Sequence, residues 1–301
     1  MKLFIIILNW NGKDYLLNCL KSVSQLITEN CKLETVVIDN ASTDGSDQMV
    51  KEKCPDITLL KNKKNLGFTG GNNMGIKYAL KNGADYVMFL NSDTLVDKDL
   101  AVQLIEAAES DPEIGIVGPK IYFAPGREYH RDRYKTSEQG MVFWYTGGLI
   151  DWDNILLAHR GVDEVDRGQY DKQEETDFVS GCCMLVKRGV FEKINLLDDK
   201  YYLYLEDADF CKRAKLAGYK VIYSPTGRLW HINAGSSSVG GDLHDYFITR
   251  NRMLFGLKYA KIRTKIALLR EGFKLLLTGR RWQKIGARDF LLRKFGKGSW
   301  I

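Results

Sequence analysis

The sequence predicts an α/β protein: a doubly wound, mostly parallel sheet followed by a helical C-terminal region. Three observations carry that prediction. Short apolar runs alternate with amphipathic stretches through the first 120 residues. At 45% hydrophobic and 27% charged, the composition is globular, which excludes disordered, collagenous and coiled-coil rod classes. The charge is also segregated. Residues 258–301 hold thirteen Lys or Arg against two acids, a net +11, while the remainder nets −5 under a total of +6. A chain of 301 residues buries a full core without disulfide or metal staples.

Leu3–Leu8, Thr35–Ile38, Ile57–Leu60, Tyr86–Leu90 and Ile114–Val117 are brief and bounded by turn residues, as strands buried on both faces require. Between them Asp14–Gln25, Gly45–Lys53, Asn72–Lys81 and Asp97–Glu109 have helical spacing. In such sheets ligands bind beyond the carboxyl ends of the strands. Residues 124–140 are polar and aperiodic, a surface loop that could serve as a lid. Val142–Asp151 and Asp177–Lys187 read as strands, Glu206–Ala217 as a helix, and Val221–Tyr223 and Leu229–Ile232 as two short strands. From about Leu243 the pattern is helical, dividing the chain into a body, 1–242, and a basic amphipathic region, 243–301. Within 262–277, Ile262, Ile266, Leu269, Phe273 and Leu276 share a face, with Arg263, Arg270 and Lys274 expected opposite. Six scattered cysteines without a CxxC pair, and no signal-peptide pattern, suggest a reduced, cytosolic protein. The apolar runs are too short to span a bilayer.

Polar residues collect where the strands end. The first runs into Asn9-Trp10-Asn11-Gly12 and the second into Asp39-Asn40-Ala41-Ser42. A strand-end carboxylate among small polar residues suits a nucleotide base or ribose, and helix capping is the alternative. Gly67, Gly70 and Gly71 before a helix at Asn72 would let backbone N–H groups approach an anion. The run fits neither GxGxxG nor a P-loop. Asn91-Ser92-Asp93 offers hard oxygen ligands at the end of a buried strand, suited to Mg²⁺ or Mn²⁺, or alternatively an Asx-turn. Glu206 and Asp207 open a helix beside aromatic residues, where a general base could be tuned or a helix dipole simply satisfied. Trp230-His231 follows, and a nearby metal would make that histidine a ligand.

Taken in order, ILNWNG, VIDNASTDGS, NLGFTGGNNMG, FLNSDT, DFVSGCCMLVKRGVF, YLEDADFCKRAKLAGY and the WH pair resemble glycosyltransferase family 2, nearest its rhamnosyltransferase-like branch. The resemblance implies the GT-A fold, a Rossmann-like sheet, and an inverting sugar transfer from a nucleotide-sugar. It implies that Asn9, Asn11 and Asp39 hold base and ribose, and that Gly67, Gly70, Gly71 and Asn72 lie against the donor. Asp93 matches the last acid of the family's DxD element and would bind the divalent metal, with Asn91 standing where the first acid usually is. His231 would complete the coordination. Asp207 matches the catalytic base, with Glu206 beside it. Ser180 and Gly181 would border sugar and acceptor, and Tyr246, Arg250 and Asn251 would close over the diphosphate.

The branch resembled suggests dTDP-rhamnose as donor, with a UDP-sugar as the alternative and a glycan or lipid-linked glycan as acceptor. The basic tail seeks an anionic surface: a membrane, with peripheral placement on its cytoplasmic face, rather than nucleic acid, for which no recognition module is evident. A helical face packed on the body is the structural alternative, and a homo-oligomer is left open. Two other classes compete. A metal-dependent nucleotidyltransferase would leave Asp207 without a task, and a non-catalytic sugar-nucleotide-binding scaffold would leave Asp93, Asp207 and His231 unused. Glycoside hydrolysis would make the nucleotide-pocket features purposeless.

Overall fold

The computed structural model describes residues 1–28, 31–232 and 240–301. Its first half alternates β1 (Lys2–Asn9), α1 (Lys13–Val23), β2 (Lys32–Asp39), α2 (Ser46–Lys53), β3 (Thr58–Lys61), α3 (Gly67–Lys81) and β4 (Tyr86–Asn91). Then come β5 (Thr94–Val96), α4 (Leu100–Glu109), β6 (Ile114–Phe123), β7 (Phe143–Tyr145), β8 (Gly148–Asp151), β9 (Leu156–His159) and β10 (Glu174–Glu175). The chain continues through β11 (Cys183–Lys187), α5 (Arg188–Ile194), α6 (Glu206–Leu216) and β12 (Lys220–His231). It closes with α7 (Asp242–Tyr259), α8 (Ile262–Thr278) and α9 (Arg281–Leu291).

The central sheet has the order β10-β12-β6-β11-β4-β1-β2-β3. β1 pairs in parallel with both β2 and β4, and β2 with β3. β11 enters antiparallel between β4 and β6, and β12 returns parallel to β6. The unbroken apolar run of β1 follows from burial on both sides. Leu3, Ile5 and Ile7 join the core under α1 and α4, while Phe4 and Ile6 join the one under α3 and α6.

Several boundaries differ from the sequence expectation. Val221–Tyr223 and Leu229–Ile232 are one strand, β12, whose register shifts between Ser224 and Arg228; an irregularity in the ladder mimics a loop in the sequence. Val142–Asp151 is split into β7 and β8 at Gly147, whose φ of 124° breaks the ladder. Only Cys183–Lys187 of the 177–187 run is strand. α4 begins at Leu100 because Thr94–Val96 pairs with β12. The 124–140 loop carries two short 3₁₀ turns and is tied down at its end, where Glu128 accepts from Gly140 N–H (2.8 Å) and Trp230 Nε1 donates to the Gly140 carbonyl (2.9 Å).

The C-terminal helices pack on the body. Phe255 of α7 and Leu268 of α8 join the α3/α6-side core. Among the described residues no helix is long and apolar enough to cross a membrane.

Candidate active site

Parallel pairing sets Asn9 opposite Asp39 at the ends of β1 and β2. Both are buried. Asn9 donates to Ser42 Oγ (3.2 Å) and Asp39 Oδ2 accepts from Ser42 N–H (3.2 Å), which leaves Asn9 Oδ1 and Asp39 Oδ1 without a partner. Buried polar oxygens of this kind are rare unless a ligand completes them. Their chemistry fits the N–H and hydroxyl donors of a base or ribose. Asn11 is committed locally: Ser42 Oγ accepts from its N–H (3.0 Å), and its Oδ1 accepts from Thr43 N–H (2.8 Å).

The glycine run does not precede its helix; it is the helix start. α3 begins at Gly67, five residues before the expected boundary. Gly67 has φ 73°, and a Cβ there would lie 2.5 Å from the Tyr202 ring. A Cβ on Gly71 would collide with Leu8 Cδ1, so this glycine lets α3 sit directly on β1 rather than cradle an anion. Asn72 is likewise spent within the helix, donating to Phe68 O (2.9 Å). Gly70 lines the outer side of the same turn. Thr69 was not expected as a site residue, yet its buried Oγ1 has no partner. Nothing in the sequence separated it from an ordinary first-turn threonine. Asn40, also missed, ties the loop: it donates to Asn65 Oδ1 (2.9 Å) and Gly67 O (3.1 Å), and its Oδ1 accepts from Asn62 and Leu66 N–H, each 3.0 Å.

At the end of β4, antiparallel pairing of β5 with β12 sets His231 opposite Thr94 and so beside Asp93. His231 Nε2 lies 3.2 Å from Asp93 Oδ1, and Asp93 O accepts from Ile232 N–H (2.8 Å). Cis ligands of an octahedral ion at ~2.1 Å stand ~3.0 Å apart, so this spacing fits two ligands of one Mg²⁺ or Mn²⁺. Among the described residues no third His, Cys, Asp or Glu joins them. Phosphate oxygens and water would fill the remaining positions. Asn91, in place of an acid, ends β4 at the mouth of the same group.

Asp207 opens α6 half-buried. Its Oδ2 accepts from Gly181 N–H (3.0 Å) and its Oδ1 from Ala208 N–H (2.8 Å). Burial raises its pKa, and these N–H groups pull the other way. Glu206 is fully enclosed, and its Oε2 has no partner. Burial, then the charge of Asp207, holds it well above the ordinary carboxylate range. Burial thus favours the neutral form of both acids, and Asp207 alone has two N–H donors on separate oxygens that favour its charged form. Gly181 links them to the rest: a Cβ there would lie 2.8 Å from the Phe68 ring, and Cys182 O accepts from Asn91 N–H (2.9 Å). Ser180 is buried, its Oγ accepting from Cys182 N–H (3.3 Å). The β4 end, the Ser180–Cys182 turn, the α3 start and Asp207 therefore form one continuous group at the carboxyl edge of the sheet.

Arg250 and Asn251 do not face that edge, contrary to expectation. Both are fully buried in α7. Arg250 donates to the carbonyls of Tyr201 (2.8 Å), Lys200 (3.2 Å) and Gly296 (2.6 Å). Asn251 Nδ2 reaches the carbonyls of Leu203 (2.7 Å), Tyr204 (2.9 Å) and Tyr201 (3.0 Å). Their donors are consumed by the strap 200–205, the Gly296 carbonyl, Tyr246 and Asn251 itself, so none is left for a diphosphate. Tyr246 is also buried, donating to Asp289 (2.7 Å). The strap is strained: Tyr202, Tyr204 and Leu205 have φ of 66°, 69° and 67°. Tyr202 O accepts from Phe68 N–H (2.7 Å), so the strap touches both the donor-side turn and the acid pair.

A sequence model of the family Glycosyl transferase family 2 matches residues 4–195. The low-salt glycan biosynthesis hexosyltransferase Agl10 of Haloferax volcanii is 26% identical over 251 residues, 83% of this chain and 69% of that protein. The N-acetylglucosaminyl-diphospho-decaprenol L-rhamnosyltransferase of Mycobacterium tuberculosis is 26% identical over 242 residues, 77% of this chain and 76% of that protein. Among solved structures, GalNAc-T7 with UDP, GalNAc and Mn²⁺ superposes with a TM-score of 0.64 at 15% identity. That superposition covers 96% of this chain, which spans about half, 54%, of the GalNAc-T7 chain. The fold is that of the GT-A glycosyltransferases.

Proposed function

Because this chain belongs to glycosyl transferase family 2 and is a glycosyltransferase, we propose that it moves a sugar with inversion from a nucleotide-sugar to a hydroxyl of a glycan or lipid-linked glycan. The single observation that carries this reading is the grouping of Asp207 with Asp93 and His231 at one sheet edge, joined through Gly181, Cys182 and Asn91. The rhamnosyltransferase name of the mycobacterial relative supports dTDP-rhamnose as donor.

Asn9 Oδ1, Asp39 Oδ1 and Thr69 Oγ1 would complete their hydrogen bonds on the nucleotide. Asp207 accepts the proton of the acceptor hydroxyl as that oxygen attacks the anomeric carbon. The bond from that carbon to the diphosphate oxygen breaks, and its electron pair leaves with the nucleoside diphosphate. Glu206, protonated, keeps a second negative charge away from Asp207 and the incoming oxygen. Asp93 and His231 would hold a Mg²⁺ or Mn²⁺, whose chemistry there is to neutralise the departing diphosphate. The basic C-terminal helices support a peripheral position on an anionic cytoplasmic membrane face, where lipid-linked acceptors reside.

Thermal shift against dTDP-rhamnose, dTDP and UDP-sugars with Mn²⁺ tests the reading, since a ligand bound at a hundred times Kd adds about 2.7 kcal/mol of stability. Selective stabilisation by a dTDP compound is expected. No shift with any nucleotide-sugar would overturn the proposal.

A further inference from the structure

α8 is rolled so that its apolar stripe faces away from the body. Successive helical residues turn by about 100°. Thr264, Leu268 and Gly272 lie on the packed side and are buried. Gly256 of α7 meets Leu268 so closely that a Cβ there would collide with it, and Met253 lies as close to Gly272. These two contacts fix the roll. The opposite side carries Ile262, Ile266, Phe273 and Leu277, exposed by 74%, 44%, 57% and 79%. Large apolar side chains lined up in solvent along a 17-residue helix, about 26 Å long, mark an unfilled contact.

Arg263, Arg270 and Lys274 flank this stripe rather than oppose it, and Lys265 stands on its other margin. Among the described residues none of these four cations has an ion-pair partner, whereas Lys258 pairs with Asp209 and Arg280 with Asp245. The charges that the fold needs are consumed, and those beside the stripe are left over. Two α8 faces brought together would set these cations against each other, which disfavours a second copy of this chain. A nucleic-acid backbone would use the cations and leave the apolar centre without purpose.

We propose that this outward face of α8 is an interfacial anchor for an anionic lipid bilayer, with Ile262, Ile266, Phe273 and Leu277 inserted below the headgroups and Arg263, Lys265, Arg270 and Lys274 on lipid phosphates. The inference rests on the membrane reading above and names the surface that would make it true. The stripe supplies insertion and the cations supply recruitment, the two signals that stable peripheral attachment requires.

The test is co-sedimentation of the full chain with vesicles of phosphatidylcholine alone and of mixed phosphatidylcholine and phosphatidylglycerol. The wild type should bind only the mixed vesicles. The pair Ile262→Ser and Phe273→Ser, exposed positions that leave the packed side intact, should weaken that binding at least ~10-fold with an unchanged melting temperature. The pair Arg263→Glu and Arg270→Glu should weaken it comparably, and high salt should weaken the wild type. If the wild type binds mixed vesicles and both variants bind equally well, this face is refuted while membrane attachment stands. If the wild type ignores anionic vesicles, both readings fall. A concentration-dependent dimer that the Ser variant abolishes would assign the stripe to a second copy and also overturn the proposal.

Discussion

Replacing Asn251 by Ala probes how the acid pair is aimed, far from any substrate. The Asn251 amide has two N–H groups shared among the carbonyls of Tyr201, Leu203 and Tyr204. Its Oδ1 accepts from Arg250 Nε at 2.9 Å. At about 1–1.5 kcal/mol for each of the three hydrogen bonds the amide can make, plus a share for stranded carbonyls, the loss comes to about 3–5 kcal/mol. That is roughly 4–8 °C in Tm for a domain of this size. The strap holds three non-glycine residues at positive φ, each costing on the order of 1–3 kcal/mol, so it will relax once its clamp is removed. Asp207 follows directly, and a displacement near 1 Å costs ~10²-fold in rate. The expected result is a folded protein whose kcat falls ~10², well beyond any loss in calorimetric affinity for dTDP with Mn²⁺, since Asn9 and Asp39 stand on other strands and only the Phe68–Thr69 turn is tied to the strap. Wild-type kcat at reduced Tm would show that the clamp only supports packing and does not aim the pair.

The other predictions concern the site itself. Asp207→Asn should keep nucleotide binding and lose at least ~10²-fold in turnover, read by initial rates; retained turnover would remove Asp207 as base. Asp93→Ala and His231→Ala should each weaken donor binding in the presence of Mn²⁺, and calorimetry giving the wild-type affinity for both would refute their shared role. Glu206→Gln should cost far less turnover than Asp207→Asn. It should also change the pH dependence of stability. Burial and the Asp207 charge raise Glu206, so the unfolded chain ionises from about 4.3 while the native state keeps its proton. The native state then binds more protons, and this group's contribution falls as pH rises through that range. The Tm advantage of Glu206→Gln over the wild type should therefore grow from pH ~4 to pH ~7, and a constant difference would contradict the assignment.

The strand ends were legible because burial on both faces forces apolar runs, and the first polar residue after each run marks the edge where ligands bind. Asn9, Asp39 and Asp93 could be found that way, whereas Asp207 stood out as an acid at a helix start beside aromatic residues. What escaped was set by contacts between distant segments. Gly71 reads as part of an anion-binding turn until the leucine it packs against, Leu8, is known. Arg250 is a cation in a plausible place, yet four carbonyl and hydroxyl partners supplied by the strap, the tail and Tyr246 decide its role, and no spacing rule reports them. The orientation of α8 was ambiguous for the same reason. Periodicity shows that a stripe exists, while the close seats at Gly256 and Gly272 decide which way it faces.

The acid pair carries this logic one step further. Glu206 and Asp207 are adjacent and equivalent to a sequence pattern, and the helix start favours both. The difference between them arises from which oxygen meets a backbone N–H. Asp207 collects Gly181 and Ala208, one from a turn 26 residues away, while Glu206 Oε2 collects nothing. Two donors favour the charged form of one acid, while deeper enclosure, the charge of Asp207 and an Oε2 without a partner favour the neutral form of its neighbour. On the proposed reading, a base would arise from two ordinary acids through the path of the Ser180–Cys182 turn. Any substitution that shifts that turn, such as Gly181→Ala against the Phe68 ring, should narrow the separation between the two acids. It would do so without touching either carboxylate, and a pH–rate profile for Gly181→Ala identical to the wild type would show that the turn does not set the division of roles.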